Sequence, residues 1–413
     1  MVRDASGAGP RPPRLPGRLG PLVAVLLTAG AVWAMATVSP ESAPEAPSIG
    51  PPETVTTAAI PTDRLAADWR ETLVIGAGAF GRVAAGPSAL VVVGDPESGL
   101  DRTLMLFTSN GSDWEPVGDD AVFEGARINT VVAVGESFVA AGAILGSNRS
   151  EPAVWTAPDG REWTRVILPP TSPAHQTVGD VVVTESGIVA LGSAVSDLGI
   201  IGGTSQTPAG GSGLWRFDGV EWRSVAAAST EGPPFLVDVL RSGDSFVGGG
   251  TLQGKARLWV SSDGESWFLV RGTGNRWPDR LAFTSMVRLS DGTVVAAATR
   301  EGEQSVIFRS KDLLTWEKID TSKGPRQIAR LIPVKGGLVA TPDPFGPSPA
   351  LFWTSGDGEA WQPVLPGDSG LPVASDGVQA VVRDVVEWGC RDVAVGSLGL
   401  QPAIWSRGCG IDP

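Results

Sequence analysis

The chain has no tyrosine, one histidine and two cysteines among 413 residues. Without tyrosine, no phenol can serve as nucleophile or acid. Metal sites built on imidazole and thiolate have only His175, Cys390 and Cys409 to draw on, so no metal and no cofactor is expected. A Ser-His-Asp arrangement would have to use His175, which stands in TSPAHQTVGD with no GxSxG elbow before it. A lone histidine in such a Pro/Ser/Thr stretch reads as exposed. Positive charge is also short, with 32 Lys and Arg against 45 Asp and Glu and a net charge of −13. Affinity for a phosphate backbone comes from Lys and Arg contacts, so nucleic acid is excluded as a partner. The glycine-rich GAGAFG at 76–81 opens no helix and reads as a connection between two strands rather than a nucleotide loop.

The positive charge that exists early in the chain is placed meaningfully. Arg3, Arg11, Arg14 and Arg18 precede residues 19–38, which carry no charge and are mostly apolar. Twenty such residues are about what a helix needs to cross a bilayer. The basic flank at 1–18 puts the N-terminus in the cytoplasm and the remainder outside. A cleavable signal peptide is the competing reading, since AMA at 34–36 fits a small-residue cleavage site. The protein is therefore expected either at the cell membrane with a single pass or secreted. Residues 39–65 are rich in Pro, Glu, Ser and Thr and read as a disordered, semi-extended linker.

From 66 to 413 the chain repeats. The second half of each unit has an apolar run, a short polar turn and a tryptophan: LMLFTSNGSDWEPV, AVWTAPDGREWTRV, GLWRFDGVEWRSV, RLWVSSDGESWFLV, VIFRSKDLLTWEKI and ALFWTSGDGEAWQPV. The first half is a pair of apolar runs, such as INTVVAVGESFVAAGA or FTSMVRLSDGTVVAAAT. Trp114, Trp163, Trp222, Trp267, Trp316 and Trp361 recur at about the length of a four-stranded propeller blade. High Gly and Pro favour short strands and many turns. The third run carries an aliphatic–aromatic doublet in most units, as in Val154–Trp155, Leu214–Trp215, Leu258–Trp259 and Ile404–Trp405. Neighbouring residues of a strand face opposite ways, so each doublet should fill the gaps to both adjacent blades.

The last unit ends after its third strand, QPAIWSRG. Ahead of the first unit stands AADWRETLV at 66–74, which matches the fourth strands GREWTRVIL and GEAWQPVLP. Residues 66–74 should therefore complete the last blade and close an all-β, seven-bladed propeller with no open edge.

The repeated Ser-x-Asp-Gly-x-x-Trp, clearest at Ser261, Asp263, Gly264 and Trp267, resembles the Asp-box or BNR repeat of sialidase-like propellers, tightened by one residue. Asp159–Gly160, Asp218–Gly219 and Asp357–Gly358 repeat it. Asp-Gly between two strands is a hairpin signal in its own right, because Gly accepts positive φ and Asp bonds its own turn. The resemblance implies a propeller fold and places these turns opposite the usual binding face. It does not carry over the sialidase activity, whose nucleophile is a tyrosine.

Two cysteines in an exported chain should pair, so a Cys390–Cys409 disulfide is expected. A binding face is expected on the connections from the fourth strand to the next blade and from the second strand to the third, which are long and irregular. RGTGNRWPDRLA at 271–282 offers Arg276, Trp277 and Arg280 as a ligand site, unless Trp277 only caps the core beneath its own loop. The long VSDLGIIGGTSQTPAGGS at 195–212 lies on the same side. Three functions follow. The chain is a non-enzymatic binding module for a protein, peptide or glycan at the envelope, a glycan-active hydrolase or lyase built from carboxylates, or an envelope assembly scaffold.

Overall fold

The structure, a computed structural model, describes residues 68–96, 103–118, 121–146, 150–171, 175–184, 187–195, 212–225, 235–243, 245–252, 255–270, 281–299, 304–321, 324–343, 350–367, 369–371 and 379–408. The expected membrane segment at 19–38, the linker at 39–65, the loop at 196–211, Arg276, Trp277, Arg280 and Cys409 lie outside the described residues. Among the described residues no helix is long and apolar enough to cross a membrane.

The strands form seven four-stranded antiparallel sheets. Six are continuous in sequence: blade one at 78–116, blade two at 126–167, blade three at 175–225, blade four at 235–269, blade five at 282–319 and blade six at 328–364. The first strand of every blade touches the first strand of both neighbours, all the way around. These seven inner strands enclose an axial channel.

Each gap between blades is filled by its own apolar cluster, and the doublets divide as their alternation requires. Trp155 packs between blades one and two, whereas Val154 packs between blades two and three. Trp215 joins Val154, and Leu214 lies in the next gap with Trp259. Leu258 then joins the gap between blades four and five. Trp155, Trp215, Trp259 and Trp405 have no exposed surface, and burying such large rings dominates the energetics of the core. The last gap joins Phe80, Val92 and Leu106 of blade one to Val393, Val395 and Ile404 of blade seven.

Blade seven closes the ring. Ala380–Trp388, Arg391–Leu398 and Gln401–Gly408 are its inner three strands, and Arg70–Val74 is its outermost. Arg70 pairs with Ser406 and Val74 with Ala403. The strand expected over 66–74 begins at Arg70. Before it, Asp68 holds a left-handed φ of 66° and Trp69 turns inward, 2% exposed. Trp69 meets Phe352 edge-on at 6.3 Å, and its N–H donates to the Ser369 carbonyl at 3.0 Å. Where blades four to six pair an apolar residue with a turn serine, as in Phe246 opposite Ser261, this blade pairs Asp392 with Arg407. Arg407 Nε donates to Asp392 Oδ2 at 2.9 Å, and its guanidinium lies over the Trp69 ring at 5.7 Å. A buried pair of this kind needs such company, because desolvation alone offsets much of its attraction.

The outer turns share one construction. In blade four, Ser261 Oγ donates to Asp263 Oδ1 at 2.9 Å and accepts from Gly264 N at 2.8 Å. Asp263 Oδ1 also accepts from Glu265 N and Ser266 N at 2.8 and 2.7 Å, and Trp267 Nε1 donates to the Gly264 carbonyl at 3.2 Å. Blade six repeats these bonds with Ser355, Asp357, Gly358 and Trp361. Blade five keeps them although Leu313 occupies the glycine position at φ 61°. That strained conformation is held by burial, with Leu313 3% exposed in the core between blades four and five.

Candidate functional site

The seven inner strands are Gly78–Ala85, Ala126–Val134, His175–Thr184, Phe235–Ser242, Ala282–Arg288, Ile328–Val334 and Ala380–Trp388. Each breaks register at the same place. The breaks fall between Phe80 and Arg82, Ile128 and Thr130, Val178 and Asp180, Leu236 and Asp238, Phe283 and Ser285, Ile328 and Arg330, and Val382 and Asp384. A bulge inserts one extra residue, bends the strand and re-aims the side chain that follows. The residue before each bulge is apolar and buried between blades. The backbone comes so close here that a Cβ at Gly142, opposite Ile128, would overlap the Arg127 carbonyl.

The residue after each bulge is polar in every blade. Arg82, Thr130, Asp180, Asp238, Ser285, Arg330 and Asp384 thus form a ring around the channel. The side chains lean toward the next blade in chain order. Asp384 Oδ2 accepts from Val83 N at 3.1 Å, Asp238 Oδ2 from Met286 N at 2.5 Å, and Ser285 Oγ from Leu331 N at 3.1 Å. Each bond ties two blades at the axis. Asp180 accepts from its own neighbour, Val181 N, at 2.9 Å. Arg330 Nε lies 3.9 Å from Asp384 Oδ1. The bulge turns this position out of the gaps between blades and toward the channel.

Beside the ring is a cavity of about 470 Å³. Arg82, Asp180, Asp238, Arg241, Arg288 and Arg330 line it together with the valines and backbone of blades three to six. Burial, reinforced by the neighbouring Asp180, pushes the Asp238 carboxyl up to about 7, against the opposing pull of the Met286 N–H and Arg330. Burial and the nearby Arg330 bring Arg82 down to about 10 despite three aspartates. Burial also pulls on Arg330, but Asp384, Asp180 and Asp238 outweigh it and hold Arg330 above its ordinary value. The ring is therefore one coupled network of charge.

Asp159, Asp218, Asp263 and Asp357 lie in outer turns between third and fourth strands, apart from this ring. His175 opens the inner strand of blade three. The ring residue is the middle one of FGRVA, INTVV, VGDVV, LVDVL, FTSMV, IARLI and VRDVV. Three aspartates, two arginines, a serine and a threonine share it, so no single residue type repeats around the ring.

Comparison with solved structures returns propellers. The chain is similar to YCF48 bound to D1 peptide, with a TM-score of 0.52 and 14% identity over 87% of this chain and 99% of that one. It is similar to the β-propeller domain of the Trilobed protease from Pyrococcus furiosus, at TM-score 0.47 and 10% identity over 82% and 100%. It is also similar to the Trypanosoma rangeli sialidase in complex with the inhibitor DANA, at 0.43 and 11% over 81% of this chain and 55% of that one. Identities this low bear on fold alone. No family model matches the chain, and no curated protein does.

Proposed function

We propose that the protein is a peptide- or protein-binding propeller whose ligand engages the axial channel. One observation carries this reading. Seven equivalent positions with the same bulge hold polar side chains of mixed chemistry, and five of them, Arg82, Asp180, Asp238, Ser285 and Arg330, line one cavity. A purely structural ring would be served by one residue type repeated. A rigid scaffold carrying varied side chains around a concave opening is the usual form of a binding site. The similar propeller YCF48 was solved with a peptide bound, which fits this reading. The outer turns we read as tightened Asp-boxes that fasten blade edges. Panning a displayed peptide library on the wild type and on Arg330→Gln tests the site. Peptides that lose capture on the variant support the channel. Peptides held equally by both put the site elsewhere, and no enrichment on the wild type sinks the reading.

The pair Asp180 and Asp238 favours a second reading, a glycan-active hydrolase. A carboxyl titrating at about 7 beside another carboxylate is the pattern of an acid and its partner. Its test is turnover on a glycan panel that vanishes in Asp238→Asn.

We also propose that the propeller stands outside the cytoplasm, tethered or released by the segment at 19–38. The four arginines before that uncharged stretch support this. Protease added to intact spheroplasts should remove the body, and a body protected until lysis rejects the topology. A Cys390–Cys409 bond fits such a compartment. Arg391 pairs with Gly408, the residue after one cysteine in the chain and the residue before the other. An intact mass that gains no hydrogens on reduction disproves the bond.

A further inference from the structure

We propose that the axial cavity is a carboxylate site, taking an acidic side chain or the C-terminal carboxylate of a peptide. The proposal rests on the channel-binding reading and names the chemistry of its ligand.

The first support is the sign of the lining. The protein as a whole carries −13, yet the cavity is lined by Arg82, Arg241, Arg288 and Arg330 against Asp180 and Asp238. Arg82 comes from blade one, while every other charged residue of the lining comes from blades three to six. Its Nη1 donates to the Gly81 carbonyl at 2.9 Å, and Asp384, Asp180 and Asp238 act on it electrostatically. Arg241 and Arg288 occupy one register position, three residues beyond the ring, in adjacent blades four and five. The same position holds Ala85, Ala133, Val183, Pro333 and Glu387 in the others.

The second support is independent of charge counting. The Nε–H groups of both Arg82 and Arg288 are buried with no hydrogen-bond partner. An unmet buried donor is costly, and an oxygen arriving in the cavity would meet it. Planar guanidinium donors match the two oxygens of a carboxylate. Asp180 and Asp238 on the same wall limit how much negative charge can enter, which favours a singly charged carboxylate. The cavity of about 470 Å³ admits one side chain or chain end, not a folded domain.

Asp238 should sense the ligand. The groups acting on it are Asp180, Arg330 and the N–H groups of Met286 and Val239, and it acts in turn on Arg82. An anion brought beside it favours its protonated form, so binding should take up a proton and weaken as pH rises past about 7.

The test titrates the full-length protein with four short peptides by calorimetry and ligand-observed NMR. They are acetyl-Ala-Glu-Ala-amide, its Gln and Lys counterparts, and acetyl-Ala-Ala-Ala with a free C-terminus. The Glu peptide or the free C-terminus should bind about tenfold or more tighter than the Gln and Lys peptides, and which one leads identifies the source of the carboxylate. Arg82→Gln and Arg288→Gln should each lose about tenfold with the melting temperature preserved, and Arg82→Lys should recover part of the loss. Asp238→Asn should remove the pH dependence. Should Arg82→Gln fail to fold, Arg288→Gln carries the same comparison. Equal binding of the Glu and Gln peptides, preference for Lys, or no binding of either carboxylate peptide overturns the proposal. Library peptides that depend on Arg330 yet contain no carboxylate at the contact would do so while leaving channel binding intact.

Discussion

Asp263 and Asp238 belong to the same blade and meet opposite fates. At the outer edge, Asp263 pays some burial, but the N–H groups of Ser266 and Glu265 and the hydroxyl of Ser261 hold it below its ordinary value. At the axis, burial and the neighbouring Asp180 hold Asp238 well above it. The backbone explains the difference. The outer turn curls its own amides around the carboxylate, whereas the inner bulge offers one amide from the next blade and places another acid nearby. Outside, one chemistry recurs from blade to blade. Inside, one backbone distortion recurs and the chemistry changes. Repetition in this protein marks what the fold needs, and variation at equivalent positions marks where a ligand can be read.

The sharpest way to break this comparison is at the outer tryptophan. Trp267 is 1% exposed and packs between blades three and four. Trp267→Ala should cost about 3–5 kcal/mol by urea denaturation. A small loss would show that the outer turns do not fasten the blades. Asp263→Ala removes an acceptor of backbone amides and should cost about 1 kcal/mol at neutral pH, measured the same way. By contrast, Asp238→Asn keeps the shape and removes a charge that the site disfavours, so its midpoint at neutral pH should equal or exceed that of the wild type. A large loss would make Asp238 a structural residue like Asp263.

The pH dependence should separate the two populations by sign. Asp159 and Asp218, held down chiefly by backbone N–H bonds, and Asp263 and Asp312, held down despite burial, stabilise the fold above the ordinary carboxylate value near 4. That stability is lost as pH falls through their lowered values. Asp238 acts oppositely. Its contribution is complete below about 4 and is lost as pH rises through about 7. Melting temperatures from about pH 3 to about pH 8 should therefore fall at both ends, and Asp238→Asn should flatten only the neutral side. An unchanged neutral limb would show that Asp238 does not titrate there.

The parts that could be read from the chain follow the same division. Blade number was legible because Trp267 and its counterparts stand after turns that must be built alike. The closing strand was legible because Arg70–Val74 fills a place other blades fill with GREWTRVIL. The ring escaped notice for a physical reason. A bulge shifts alternation by one residue, so nothing in the apolar runs says that Asp180 or Arg330 leaves the core. Only the assembled inner strands bring Arg82 into a cavity shared with residues far along the chain. Trp277 and its arginines, which composition favoured, stand outside the described residues.

The pairing of Arg70–Val74 with Gln401–Gly408 also sets an order of events during synthesis. Thr72 and Ser406, whose hydroxyls meet at 2.7 Å, are 334 positions apart in the chain. Six sheets can form as their strands emerge from the ribosome, each from neighbouring sequence. The circle cannot. The first strand made waits with an unsatisfied edge until the last one appears, so a nascent chain is at its most adhesive just before completion. Such long-range closure is slow, and loss of either the first or the last strand of the propeller opens the same sheet. Those two strands are thus a single point of vulnerability in a molecule whose other six sheets each carry their own fastening.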